Sequence, residues 1–533
     1  MPTATSFNLI DRPFLPVVTS DGPATLSLRD VLVNAHNVVG IDTSNPTAAI
    51  ALYRFLLAVV IDATGQPADM KGWRSRFDGG RFPHDRLDVY FDRWHDRFDL
   101  LEDGHPFYQV PELEPASGTW RSVALLRPEV ASGNNVPLFS SDTESTLEAL
   151  DFAEAAVLLI SCMSWDTAAI KTGASGDPAM KGGKTTGNPT GPLGQLGVVL
   201  PLGRSLFETL TLSLPMGPAS EDDKPAWRQD WSPAWSQHQP AGIRELLTWQ
   251  SRRIRLLTDG EVVTKVTVCA GDRMMFTPPD LEPHCLWRMT KPSNNNAVTV
   301  SQRPVRHLAG RSAWRGLNAL LSLEPHTGNT DALSTSLALR QIGRADRWLG
   351  DDYPLDALCV GIAYGNQSAV IEDVMADTVP LPLKALNDAN GEPLREVLLE
   401  LVNAADSVRK ALNGLDANIR RAEGGDAVPW DAGDHPGDAF MPELDLPTLR
   451  VLRGLQKNPD LYDQGKIAWQ AAARASASKL ANQLLDGASA SAISGHRSGN
   501  RNEPLRLSDA EGIFWYALNQ ALPDRTTNFE EER

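Results

Sequence analysis

Apolar residues spaced three and four apart dominate the last third of the chain. Leu394, Val397, Leu398, Leu401, Ala405, Val408, Leu412, Leu415 and Ile419 form one stripe along a long helix. The same spacing over Thr448–Leu455, Ile467–Leu485 and Ala510–Ala521 predicts further helices. Between the first helix and the rest lies the acidic, Pro/Gly-rich stretch Ala422–Pro447, which reads as a linker.

Upstream the pattern is mixed. Phe7–Val17 reads as a strand-like entry and Leu28–Ala35 as a short helix. Ser44-Asn45-Pro46-Thr47 before an apolar run to Val60 reads as a capped helix with proline in its first turn. Trp73–Leu101 is aromatic and charged at helical spacing, and His105-Pro106-Phe107-Tyr108-Gln109 breaks it. Ser145–Ala169 predicts another apolar helix, while Trp249–Ala270 and Asn295–Val305 predict strands of a mixed sheet. Cys359–Tyr364 and Ala369–Met375 flank Gly365-Asn366-Gln367-Ser368, the outline of a hairpin with a polar tip. The expected fold class is therefore α+β: a large mixed α/β domain over residues 1–380, then a C-terminal four-helix bundle over 381–533.

Lys171–Gly203 holds nine glycines and little apolar content, which implies close backbone approach or mobility rather than core. The chain carries a net charge of −17, which taken as uniform argues against contact with phosphates. It is not uniform. Ser251–Gly316 carries eleven Lys/Arg against five Asp/Glu, and Thr167–Arg204 four against one. Ala422–Pro447 has seven acids and no base. Two positive segments thus stand in an acidic chain, and one of them is the glycine-rich stretch.

Cys162, Cys269, Cys285 and Cys359 are too few for a disulfide framework and suit a reducing compartment. The opening residues lack the basic start and apolar core of a secretory signal. Runs such as Ile50–Val60 and Ala155–Ser161 are too short to span a bilayer. The expected location is the cytoplasm, with no membrane partner.

The enzyme readings are poorly supplied. Gly182-Gly183-Lys184-Thr185 invites a phosphate-loop reading and hence an NTP-binding hydrolase. Pro178 stands where that loop needs its first glycine, and no helix pattern follows. There is no CxxC or HExxH, and His284-Cys285 alone cannot supply a zinc site. Gly173-Ala174-Ser175-Gly176-Asp177 fails the spacing of a nucleophile elbow. His95 and His105 near Asp96, Asp99 and Asp103 read as a surface helix end rather than an acid–base cluster. No cofactor, metal or catalytic residue is expected. Lys181 and Lys184 on a glycine loop, and Asn366 and Gln367 on a hairpin tip, are instead the donors and acceptors that suit a nucleic-acid backbone and base edges.

Several segments, in order, resemble the CasA family, the large subunits of the type I-E CRISPR surveillance complex Cascade. They are Phe7–Val17, His105–Gln109, Ser132-Gly133-Asn134-Asn135 with Leu138-Phe139, Gly203–Leu210, Thr248–Leu257 and Tyr364–Ala369. The resemblance implies a non-enzymatic subunit that recognises the protospacer-adjacent motif in double-stranded DNA. It also implies opening of the duplex for pairing with the guide RNA (crRNA) and docking of a helicase–nuclease in antiviral defence. It places motif contacts on Gly182, Gly183, Lys184, Arg273 and Asn366, and a duplex wedge on Gln367. Asn134, Asn135, Leu138 and Phe139 fall on the loop that anchors such a subunit to its complex. A scaffold that only bridges subunits of a ribonucleoprotein is the remaining alternative.

Overall fold

A computed structural model describes residues 6–130, 142–147, 149–218, 220–290, 302–323, 332–387, 390–429, 433–497 and 503–523. The chain folds as two compact units. One comprises Met1–Arg311, Ser322–Ala345 and Leu355–Thr378; the other comprises Ser312–Leu321, Asp346–Pro354 and Val379–Arg533.

The first unit is built around the helix Pro46–Thr64. Asn45 Oδ1 caps it by accepting from the Thr47 and Ala48 amides at 3.0 and 3.3 Å, and Pro46 occupies its first turn. By length and composition this helix is apolar enough to cross a membrane, a longer element than the run to Val60 implied; 89% of that window is buried inside the protein. It is apolar on every side because every side meets protein. The helix Phe152–Trp165, capped by Asp151 on the Glu154 amide at 2.7 Å, packs against it. Trp165 Nε1 donates to Thr47 O at 2.9 Å between the two helices.

Around this pair lie small sheets rather than one large one. Arg252–Thr258 and Val263–Ala270 form an antiparallel pair, as the apolar pattern predicted. Val263–Ala270 also meets Arg121–Ser122 antiparallel and Lys171–Thr172 in parallel. A second sheet takes Ile371–Pro380, Asp356–Tyr364 and Val198–Leu202 in that order, with Leu358 opposite Leu200. The expected helix over Trp73–Leu101 is interrupted: Met70–Asp78 stops before Gly80 (φ 66°), and His84–Trp94 begins after Pro83. Phe107 and Tyr108 then enter an aromatic cluster with Phe55, Phe98 and Trp227.

In the second unit the stripe from Leu394 to Ile419 is buried along the helix Glu392–Ala422, which packs on Tyr462–Asp486 and Leu507–Ala521. Ala473, Ala477 and Ala481 recur on one buried face of Tyr462–Asp486, small enough for close helix approach. Trp469 Nε1 donates to Thr448 Oγ1 at 2.8 Å and ties that helix to Asp445–Lys457. The stretch read as a linker is partly helical, with Pro436–Glu443 and the start of Asp445–Lys457 inside it. Pro436 and Pro447 lie in the opening turns of their helices, where a missing amide proton costs nothing.

Candidate nucleic-acid interface

The glycine-rich segment is a hairpin grafted onto a sheet edge. Lys171–Thr172 and Lys184–Thr185 pair antiparallel, with Lys171 opposite Thr185 and Thr172 opposite Lys184. Lys181 and Lys184 close the loop by exchanging both backbone hydrogen bonds, at 2.9 and 3.1 Å. Gly182 and Gly183 between them have φ of 57° and 74°, the double left-handed conformation of a tight two-residue turn. A Cβ at either would meet nothing within 4 Å, so this turn faces open space. Lys181 and Lys184 are exposed and have no carboxylate partner among the described residues.

Other glycines of the segment serve the opposite purpose. A Cβ on Gly191 would sit 2.4 Å from Ser164 O, so the chain there lies against the backbone of the Phe152–Trp165 helix. The stretch expected to lack core also buries Leu193, Leu196, Val198, Val199 and Leu200.

Behind the turn, Arg273 acts as a brace. Its Nη2 donates to Thr186 O at 2.8 Å and to Asn188 Oδ1 at 3.1 Å. Asn188 Nδ2 in turn donates to Thr185 O at 2.8 Å. The guanidinium stacks over Trp235, its carbon 3.6 Å from the ring centroid. Asp177, also buried, accepts from Thr185 Oγ1 at 3.2 Å.

The hairpin tip is more strained. Gln367 and Ser368 both have positive φ, 52° and 58°, which side-chain-bearing residues rarely adopt. Backbone bonds close the turn: Ser368 N donates to Gly365 O at 2.7 Å and Ala369 N to Asn366 O at 3.0 Å. Ala168 N donates to Ser368 O at 2.8 Å and docks the tip on the rest of the unit. The Asn366 and Gln367 side chains are exposed.

One short run supports both loops. Asp166 O accepts from Gly191 N at 2.8 Å, Ala168 holds the tip, and Lys171 opens the strand opposite Thr185. Arg252, 1% exposed, donates from Nη2 to Thr167 O and Pro189 O at 2.7 and 2.8 Å. Its Nε donates to the Asp166 carboxylate, which Lys171 Nζ also reaches at 2.6 Å. Burial by itself would raise the Asp166 carboxyl; the charges of Lys171 and Arg252 override it and hold it down at about 2.

The structure therefore attaches Gly182, Gly183, Lys184, Arg273, Asn366 and Gln367 to a common support. Asp166, Lys171, Asn188, Trp235 and Arg252, which provide that support, were missed in the sequence; only Lys171, Asn188 and Arg252 fall in the two positive segments, and nothing local pointed to Asp166 or Trp235. Asn134, Asn135, Leu138 and Phe139 lie outside the described residues.

Among the described residues, the segments that invited enzyme readings take other geometries. Lys184–Thr185 is a strand, not the start of a helix, so the turn before it is not a phosphate loop. His95 pairs with Asp11 at 2.7 Å, while Asp99 is turned to the Phe7 and Leu101 amides. His284 and Cys285 are both fully buried, and no group of three metal-ligating side chains occurs among the described residues.

Residues 8–480 match the family of CRISPR-associated protein Cse1. The chain belongs to the Cse1 (CasA) family. It is thereby a large subunit of the type I-E CRISPR complex Cascade. The crystal structure of Thermobifida fusca Cse1 superposes with a TM-score of 0.83 at 30% identity, covering 98% of this chain and 99% of that one. CasA/Cse1 of Thermus thermophilus is 28% identical over 459 residues, 82% of each chain. A chain of a CRISPR RNA-guided surveillance complex shares the fold at a TM-score of 0.71 and 20% identity, over 97% of this chain and 99% of that one.

Proposed function

We propose that this Cse1 protein recognises the protospacer-adjacent motif in double-stranded DNA and opens the duplex beside it for crRNA pairing. It then serves as the docking surface for a helicase–nuclease. In this reading it works without chemistry or cofactor of its own, in a cytoplasmic ribonucleoprotein with the other Cascade subunits. The loop carrying Asn134, Asn135, Leu138 and Phe139 seats it in that complex.

The observation that carries the reading is the support shared by two exposed polar tips. An open glycine turn lets backbone amides and the Lys184 ammonium approach phosphates or a shallow groove. The minor groove offers mainly purine N3, pyrimidine O2 and the guanine amino group, so a reader placed there accepts several related motifs. Asn366 can both donate and accept at such edges. Gln367, held out on a strained turn, needs only to stop the first base pair from reclosing, a stacking cost of a few kcal/mol. Beyond that pair, RNA–DNA pairing roughly replaces DNA–DNA pairing, so a small local bias nucleates the exchange.

The test is strand opening on linear duplexes by the reconstituted complex, read by a fluorescent base at the first target position. Gln367→Ala is expected to impair opening more than initial binding, and Lys184→Ala to weaken motif-dependent binding. Opening and binding both at parent level in these variants would leave only the bridging-scaffold reading.

A further inference from the structure

The segment from Asp166 to Lys171 touches both tips within six residues, and its geometry is fixed by buried charge rather than by apolar packing. Ala168 binds the Asn366–Gln367 turn through Ser368 O, and Lys171 pairs with Thr185, the neighbour of Lys184. Arg252 spans the run from beneath, bonding Thr167 O on one side and Pro189 O on the other. Asp166 pairs with Arg252 and Lys171 at once, one carboxylate between two cations. Removing two cations and a carboxylate from water costs several kcal/mol per ion, and well-packed apolar residues would fill the volume at less cost. What such a cluster adds is direction: a planar fork and a carboxylate with fixed bonds permit few backbone arrangements.

We infer that Arg252, Asp166 and Lys171 form a coupling element that holds the glycine turn and the Asn366–Gln367 tip in one fixed register. Motif contact at the turn is thereby converted into wedge placement at the first base pair. This rests on the proposed reading that the two tips meet DNA, and Arg252 acts in it as a positioning residue, out of contact with the duplex. Displacing the turn pulls on Lys171 and Pro189; displacing the tip pulls on Ala168. Both strains converge on the same guanidinium–carboxylate pair.

The coupling is testable with and without DNA. Arg252→Lys keeps the charge but loses the fork that reaches Thr167, Pro189 and Asp166 at once. In the free subunit its effect is read by amide hydrogen exchange, after thermal melting has established that the variant folds. Exchange is expected to rise about tenfold at 181–185 and at 366–369 together, with the Glu392–Ala422 helix unchanged. Protection retained at either tip overturns the coupling, whatever the tips bind. If Arg252→Lys fails to fold, Lys171→Met, which removes one cation and leaves the Arg252–Asp166 bonds, takes its place with the same two readouts.

With the reconstituted complex, Lys184→Ala and Gln367→Ala are combined in the parent and in the Arg252→Lys background, and duplex opening is measured. In the parent the two losses are expected to be non-additive; in the Arg252→Lys background they should multiply as independent sites do. Identical combination in both backgrounds overturns the inference. No loss from either single variant in the parent, with hydrogen exchange still linked, would instead sink the DNA reading and leave the mechanical coupling standing.

Discussion

Arg273 stacks its guanidinium over Trp235, 3.6 Å from carbon to ring centroid, and donates through one nitrogen to both Thr186 O and Asn188 Oδ1. The resemblance to CasA proteins implied that this residue itself contacts DNA. The geometry gives it an interior task as well, since it is the strut beneath the turn that carries Lys184.

Arg273→Lys therefore separates two roles. Lysine keeps the positive charge that a simple phosphate contact requires but loses the planar fork and the stack. The expected result is about tenfold weaker binding to motif-bearing duplex, roughly 1.4 kcal/mol, in line with a stacked cation–π contact plus one hydrogen bond. Amide exchange at 182–188 should rise in parallel. Parent affinity in the lysine variant would show that charge alone matters there.

Gln367 allows a sharper separation, because its backbone and side chain make opposite demands. At φ 52° a side-chain-bearing residue costs about 1 kcal/mol that glycine does not. Gln367→Gly should thus leave the melting temperature unchanged or slightly raised while abolishing the wedge. Gln367→Ala keeps the strain and removes the wedge as well. Equal loss of duplex opening in both variants, with different stabilities, is the expected pattern. Retained opening in the glycine variant would mean that the backbone turn, not the amide side chain, separates the strands.

Two glycines should respond to alanine in opposite directions. A Cβ on Gly191 would lie 2.4 Å from Ser164 O and 2.6 Å from Trp165 N, both backbone atoms that cannot move independently of their helix. Gly191→Ala is expected to destabilise the first unit by about 2 kcal/mol or more. Gly414, inside the helix Glu392–Ala422, has nothing within 4 Å of its Cβ position, so Gly414→Ala should stabilise the second unit by up to about 1 kcal/mol. Denaturant melts of the two variants check both signs.

The C-terminal helices were legible because burial there follows a period that one strand of sequence displays: Leu394 through Ile419 all face inward as spaced. The hairpin and its polar tip were legible for the same reason, two apolar runs around a Gly-Asn-Gln-Ser turn. Local charge was a poorer guide. The positive segment around Arg252 reads as a surface, yet Arg252, Arg253 and Arg255 are paired with Asp166, Asp272 and Glu114. Lys171, counted in the other positive segment, is likewise spent on Asp166. The partners of the three arginines stand 19 to 141 residues away along the chain, beyond any local pattern. Lys181, Lys184, Lys265, Arg288, Arg303 and Arg306 are the cations of the two segments that remain exposed without a carboxylate partner among the described residues. The meaning of the glycines was equally hidden: Gly182 and Gly191 look alike in sequence, and only the tertiary fold makes one an open turn and the other a close contact.

The buried trio of Arg54, Glu282 and His284 predicts how stability depends on acidity. Arg54 forks onto Glu282 at 2.7 and 2.9 Å, and its Nη1 lies 3.2 Å from His284 Nδ1. Burial first, and then the neighbouring Arg54 charge, push the His284 imidazole down to about 3 from its ordinary 6.5. Between those values the unfolded chain binds a proton that the folded protein refuses, so stability rises with pH across the window and falls on acidification. Above pH 6.5 the residue is neutral in both states and its contribution is level. The slope from this one group is at most about 1.4 kcal/mol per pH unit. His284→Asn places an amide oxygen where Nδ1 stood, preserves an acceptor toward Arg54, and removes the titration. Urea melts between pH 6.5 and 4.5 are expected to lose stability steeply in the parent and by about 1.4 kcal/mol less per unit in the variant. Parallel slopes would mean that His284 takes up its proton within the folded state, and that the buried trio relaxes to admit it.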